Sequence, residues 1–188
     1  MRRALLGTKT ALLLSNGVSH SHFDTIQKSI IENGGATSVV ATNGQLLRGW
    51  GLKEWAQHIA VDALLDEALG IDYDFLVIPG GRRSIEKLRL HDHTKRFLGS
   101  FFESKRPVVV VEDALELLIH TQCVDGYEVA GPDVLKESAL QCGARWSSES
   151  VICSGNLMSG NLSQDNEETF LLAMRDHLKV LAQARLVA

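Results

Sequence analysis

Three cysteines among 188 residues are too few and too scattered for a disulfide framework. Cys123, Cys142 and Cys153 are an odd number, and no C-x-x-C spacing offers a dithiol or a metal knuckle. They read as reduced, mostly buried thiols of a cytoplasmic protein. Basic stripes are missing too. The formal net charge is −4 and the sequence pI about 6.0, and Arg82-Arg83 is too short to track a nucleic-acid backbone. No apolar run approaches the length of a membrane span. Met1-Arg2-Arg3 precedes apolar residues, but the run 11–14 stops at Ser15-Asn16-Gly17, without the h-region or cleavage pattern of a signal peptide. Repeats, low-complexity tracts and linkers are absent as well. With 45% hydrophobic residues and a mean hydropathy of +0.01, residues 1–188 read as one globular domain, long enough to bury a full core.

What is present alternates between strand and helix patterns. Residues 10–15 are strand-like. Ser21 followed by Asp24 resembles a capping box, and Phe23, Ile26, Ile30 and Ile31 then mark a helical stripe that stops at Asn33-Gly34-Gly35. Residues 37–42 are β-branched and strand-like. The turn-rich segment 43–51 suggests a hairpin of 46–50 with 58–61. Residues 62–69 suit a short helix closed by Gly70. A buried strand over 74–78 ends at Pro79-Gly80-Gly81, and helices follow over 84–90 and 94–103. Residues 108–111 are four valines after Pro107, the pattern of a buried parallel strand. They switch at once to a helix over 114–121. Residues 127–130 form a further strand, and 132–141 a helix with Pro132 at its first position and Gly143 past its end. Short strands 150–153 and 157–159 flank the turn Ser154-Gly155-Asn156. Asp165, with Glu168 three residues on, caps a last helix whose Phe170, Met174, Leu178 and Leu181 share one face. The sum is an α/β fold with a mostly parallel sheet and helices on both faces.

A sharp strand-to-helix turn is where many α/β proteins hold a nucleophile above the sheet. Here that turn carries Glu112 and then Asp113, with neither Ser nor Cys. The landmarks around it come in a definite order. They are the Asn16-Gly17-Val18 turn after the first strand, Asp72-Tyr73-Asp74, Ile78-Pro79-Gly80-Gly81, Arg106-Pro107 before the valines, Gly143-Ala144 with Trp146, and Ser154-Gly155-Asn156-Leu157-Met158-Ser159. Together they resemble the DJ-one/ThiJ/PfpI superfamily, the class I glutamine-amidotransferase-like group, over nearly the whole chain. The resemblance implies a flavodoxin-like three-layer α/β/α sandwich, commonly a homodimer. It places Glu112 on the position of the family's elbow cysteine, Asp113 and Ala114 on the next two, and His22 where members carry a glutamate that hydrogen-bonds the cysteine. Gly80 and Gly81 correspond to a turn whose amides can form an oxyanion site. Peptidase, glyoxalase, deglycase-like and chaperone activities of the family mostly depend on that cysteine, so they are not expected here. The C-terminal domain of large-subunit catalases is similar in keeping the fold without the cysteine.

These assignments leave several readings open. Glu112 and His22 could persist as an acid–base pair with exchanged roles, Glu112 as base and the Gly80 and Gly81 amides as oxyanion donors, giving a hydrolase or lyase. The favoured alternative is a pseudoenzyme in which Glu112 caps the following helix and pairs with His22, and the former active site binds a small molecule or a partner. A purely structural role, as in the catalase domain, is third. No cofactor, nucleic acid or membrane is expected. His20 and His22 with Glu112 and Asp113 offer nitrogen and oxygen ligands of a type suited to zinc, but two loop histidines without a ligating role is the plainer reading, as is a surface connector for His91-Asp92-His93. Arg82-Arg83 opens a helix after the Gly-Gly turn and could hold an anion, or could be solvated with a pairing to Glu86. Trp146 reads as core. Trp50 and Trp55 read as packing their own loop onto the domain, and Cys153 as a small buried hydrophobe.

Overall fold

Aliphatic runs bounded by Gly and Pro form the strands, and the structure, a computed structural model, describes residues 4–51 and 53–187, with side chains as far as 180. The first half contains β1 (Lys9–Leu14), α1 (His20–Glu32) and β2 (Ala36–Ala41). A hairpin of β3 (Leu46–Trp50) and β4 (Trp55–Ala60) follows, then a short β5 (Ala63–Leu64). β6 (Phe75–Ile78) leads into α2 (Arg82–Arg89) and α3 (Thr94–Glu103). β7 (Val108–Val111) turns into α4 (Leu115–His120). The last third holds β8 (Glu128–Val129), α5 (Lys136–Gln141), β9 (Arg145–Trp146), β10 (Val151–Ser154), β11 (Leu157–Gly160) and α6 (Glu167–Val187).

One sheet organises these elements, in the order β10-β11-β7-β6-β1-β2-β5. All its pairings are parallel except the β10–β11 hairpin, which turns through Gly155 at φ +55°. Burial on both faces explains the unbroken valines. Val108 and Val110 join the core under α2, α3 and α4, while Val109 and Val111 join the core under α1 and α6. β1 divides in the same way, Ala11 and Leu13 on one side and Leu12 and Leu14 on the other. The three-layer α/β/α arrangement is therefore observed. Among the described residues no helix is long and apolar enough to cross a membrane.

Several local expectations change. Residues 62–69 are not a helix. The Val39 amide donates to Asp62 Oδ2 at 2.7 Å and the Asp62 amide to the Val39 carbonyl at 3.0 Å, drawing Ala63–Leu64 onto the free edge of β2. Tertiary hydrogen bonding thus overrides a weak helix propensity. α1 starts from Ser19, not Ser21, because the Ser19 amide is anchored to the Gly80 carbonyl at 2.8 Å. Ile31 of its expected stripe is 54% exposed, and only Phe23, Ile26 and Ile30 face the core. The 132–141 helix splits into a 3₁₀ turn at Asp133–Leu135 and α5, with Pro132 preceding the turn. α6 is preceded by Asn166 as its cap position rather than Asp165: the Phe170 amide donates to the Asn166 carbonyl at 2.9 Å, and Asn166 Oδ1 accepts from the Ser163 amide at 2.8 Å. Phe170, Met174 and Leu178 are buried as expected, and Leu181 lies outside the described side chains. Cys153 is exposed, since it sits on the outermost strand, whereas Cys123 and Cys142 are half-buried; all three are free thiols.

α6 also carries a buried histidine. His177 Nε2 lies 3.1 Å from the Asn156 carbonyl, and burial pushes the imidazole below its ordinary value of 6.5. The unfolded chain then takes up a proton that the folded chain refuses. Stability is full above pH 6.5 and falls as the pH drops below it. His177→Gln keeps a donor without the titration. Its urea midpoint should fall less than that of the wild type between pH 7 and about pH 5. Parallel loss in both proteins would refute this.

Candidate functional site

β7 passes into α4 through the 3₁₀ turn Glu112–Ala114, and Glu112 opens that turn at φ +52°. A non-glycine residue there costs about 1–2 kcal/mol. Glu112 Oε1 comes to 3.5 Å from His22 Nε2 on the first turns of α1, with the two side chains 35% and 13% exposed respectively. That contact becomes an ion pair only when the imidazole carries its second proton, and it is longer than a short charge-assisted hydrogen bond. Burial raises the Glu112 carboxyl above its ordinary value. The charge of His22 pulls against this, Asp113 adds to it, and a Leu162 backbone hydrogen bond pulls against it. Burial likewise raises Asp113, opposed first by the Gly81 amide and then by His22. Glu112 and Asp113 are thus adjacent carboxyls, each made a weaker acid by desolvation.

The Gly80-Gly81 turn closes the site from β6. A Cβ on Gly80 would stand 2.8 Å from Asp113 Oδ1 and 2.9 Å from His22 Nδ1. A side chain at this position would displace the Asp113 carboxylate and the His22 ring and crowd the Val111 carbonyl at 3.0 Å. The Gly81 amide donates to Asp113 Oδ1 at 2.8 Å. The cluster lies beyond the C-terminal ends of parallel strands, where open α/β sheets generally bind ligands.

Five expected residues are therefore brought together: Glu112, His22, Asp113, Gly80 and Gly81. The Gly81 amide, expected to await an oxyanion, is instead taken by the chain's own carboxylate. His20 stands apart. Both histidines lie on α1, and residues two apart on a helix point in nearly opposite directions. His20 faces Gly49 of β3, where a Cβ would come within 2.8 Å of its Nδ1, and borders a separate groove of about 470 Å³ with Phe23, Asp24, His58 and Asp62. The set His20, His22, Glu112 and Asp113 is thus not assembled, and no cluster of three or more His, Cys, Asp or Glu suited to a metal occurs among the described residues. Arg82 also stands apart, 76% exposed, with its Nε 3.1 Å from Glu86 Oε1. His91 pairs with Asp66 at 3.1 Å on the surface. Two contributors had no expectation attached. The Leu162 backbone lies in an irregular stretch with no motif, and Ser19, followed three residues on by His22, lacks the capping-box pattern that Ser21 and Asp24 display.

The family model described as DJ-1/PfpI family matches residues 8–175. The chain belongs to the DJ-1/PfpI family. Among its relatives, General stress protein 18 of Bacillus subtilis is 28% identical over 162 residues, covering 85% of this chain and 92% of that protein. Deglycase PfpI of Pyrococcus furiosus is 25% identical over 123 residues, covering 65% of this chain and 71% of that one. A crystal structure from Anabaena variabilis, a two-domain protein with DJ-1/ThiJ/PfpI-like and ferritin-like domains, superposes with a TM-score of 0.82 at 23% identity. The match covers 90% of this chain and 49% of that one, and it establishes the shared DJ-1/PfpI fold.

Proposed function

We propose that this DJ-1/PfpI member binds a small molecule or a partner at its elbow, without thiol chemistry. The Gly81–Asp113 hydrogen bond of 2.8 Å carries this reading. Oxyanion stabilisation needs donors held ready for the developing charge, and this donor already holds a carboxylate. The family resemblance sets Glu112 on the cysteine position, and a carboxylate is a far weaker nucleophile than a thiolate. One relative's name says deglycase; that activity is not expected here. Peptidase, glyoxalase and deglycase assays should give no turnover above buffer. A thermal-shift screen of small molecules should yield a ligand whose stabilisation disappears in His22→Ala. Turnover abolished by thiol alkylation would overturn the proposal.

A second reading, hydrolase or lyase chemistry by Glu112 and His22, is favoured by one observation. Glu112 keeps φ +52°, and such strain persists where the surroundings enforce it, often at working sites. A carboxyl raised by burial also suits a base operating nearer neutrality. Glu112→Gln preserves shape and removes the base. On this reading any turnover found in the wild type should fall about 10²–10⁴-fold in kcat. Unchanged kcat in Glu112→Gln would end it.

A further inference from the structure

We infer that Arg83 and Arg48, set on the Trp50–Trp55 pair, form a receptor for the oxyanion group of a small molecule, a carboxylate or a phosphate. The Arg83 guanidinium carbon lies 3.7 Å from the Trp50 ring centroid and 5.5 Å from that of Trp55. The two indoles meet edge to face at 5.2 Å, and the Arg48 guanidinium carbon comes to 5.7 Å from Trp55. Stacking holds a guanidinium by its face and leaves its in-plane N–H fork for a planar acceptor. Among the described residues neither side chain makes an ion pair or hydrogen bond. The other two arginines of α2 are occupied, Arg82 by Glu86 at 3.1 Å and Arg89 by Glu116 at 2.9 Å. Glu54, in the hairpin turn, forms no ion pair with Arg48 or Arg83 among the described contacts.

The platform is fixed before any ligand arrives. The Trp50 amide donates to the Val18 carbonyl at 2.7 Å, the Gly17 amide to the Arg48 carbonyl at 2.8 Å, and the Arg48 amide to Asn16 Oδ1 at 2.8 Å. These bonds pin the hairpin to the loop between β1 and α1. Gly17, at φ +90°, leaves room for the Arg83 stem, since a Cβ there would lie 2.5 Å from Arg83 Cβ. Preorganisation of this kind lowers the cost of binding. The same loop ends in Ser19, whose amide holds the Gly80 carbonyl at 2.8 Å, so the arginine platform borders the elbow. The inference rests on the proposed elbow-binding reading in one respect. It names the ligand class as an anionic small molecule whose charged end sits at the arginines.

The test is an NMR titration of the protein with inorganic phosphate and, separately, malonate, at constant ionic strength. Saturable shifts of the Trp50 and Trp55 indole N–H and Arg83 Nε–H resonances are expected. Arg83→Gln should weaken binding about tenfold or more, the loss expected for a charge-assisted hydrogen bond. Arg48→Gln, at an exposed strand position, should weaken it too, while Arg89→Gln should change it less than about twofold. Tighter binding of phosphate assigns a phosphate-bearing ligand, and tighter binding of malonate a carboxylate. Non-saturable shifts, or equal affinity in wild type and both the Arg83 and Arg48 variants, would overturn the inference. His22→Ala separates the two readings. Phosphate affinity unchanged in that variant, with no small molecule found at the elbow, would leave the arginine site standing and remove the elbow reading alone.

Discussion

Gly81→Ala should lose about 3 kcal/mol or more of stability and dismantle the site. A methyl group on Gly81 would lie 2.3 Å from the Ser19 nitrogen and 2.8 Å from the Val18 carbonyl carbon and Cα. All three are backbone atoms, so no rotamer change relieves the clash. The residue also sits at φ +130°, a conformation that side-chain-bearing residues adopt at about 1–3 kcal/mol each. Pushing the segments apart breaks the Ser19–Gly80 bond of 2.8 Å as well, a further loss of about 1 kcal/mol. A midpoint drop of about 6–12 °C follows for a chain of this size. Gly126→Ala is the control. Gly126 also has positive φ, +77°, but nothing lies within 4 Å of its added Cβ. It should show only the backbone term, about 1 kcal/mol. Equal thermal midpoints for the two variants would show that the Val18–Ser19 contact is not what requires glycine.

The strands were readable because a parallel strand covered on both faces is dominated by apolar residues, with only small hydroxyls such as Thr10, Ser38 and Ser159 admitted among them. Val108 to Val111 supply both cores in alternation, and this necessity is written in their composition. Segment 62–69 failed for the opposite reason. Its local preference was weak, and two hydrogen bonds to Val39, distant in sequence, decided it. The misplaced cap at Ser21 had a chemical consequence. Starting α1 late left His20 and His22 on an apparent loop, where both could face one ion; starting it from Ser19 puts them on a helix and turns them apart. The meeting of His22, Gly80 and Glu112 was legible only through the family resemblance, since no local spacing links such separated residues. The Gly81–Asp113 bond left no trace in the sequence, because it depends on where one carboxylate rotates within the turn. The two hairpin tryptophans were expected to pack their loop onto the domain; instead they meet each other, Trp55 stays 40% exposed, and their partner Arg83 belongs to a helix after another strand, which no local spacing announces.

Arg106→Met should lose about 3 kcal/mol without touching the elbow. Arg106 is 6% exposed, and its Nη1 donates to the Tyr73 carbonyl at 2.9 Å and to the Gly70 carbonyl. Its amide donates to the Phe101 carbonyl at 2.8 Å, and its carbonyl accepts from Asn156 Nδ2 at 2.7 Å. Backbone and side chain together join the end of α3, the 3₁₀ turn Gly70–Asp72 and the turn between β10 and β11. Methionine fills much of the volume and keeps the backbone bonds. Two buried carbonyls lose a charged donor, at about 1–3 kcal/mol each, and part of this is offset because a buried cation no longer needs desolvation. Arg106→Lys should fall between wild type and Met, since an ammonium lacks the planar fork. A urea midpoint for Arg106→Met equal to that of the wild type would contradict this account. The contrast with Gly81→Ala separates scaffold from site. Below its own melting range Arg106→Met should retain ligand binding, because Glu112 lies at the far end of β7 from Arg106. Gly81→Ala should have lost binding even where it remains folded, because the contacts it breaks are those that hold Ser19, Asp113 and His22 in place.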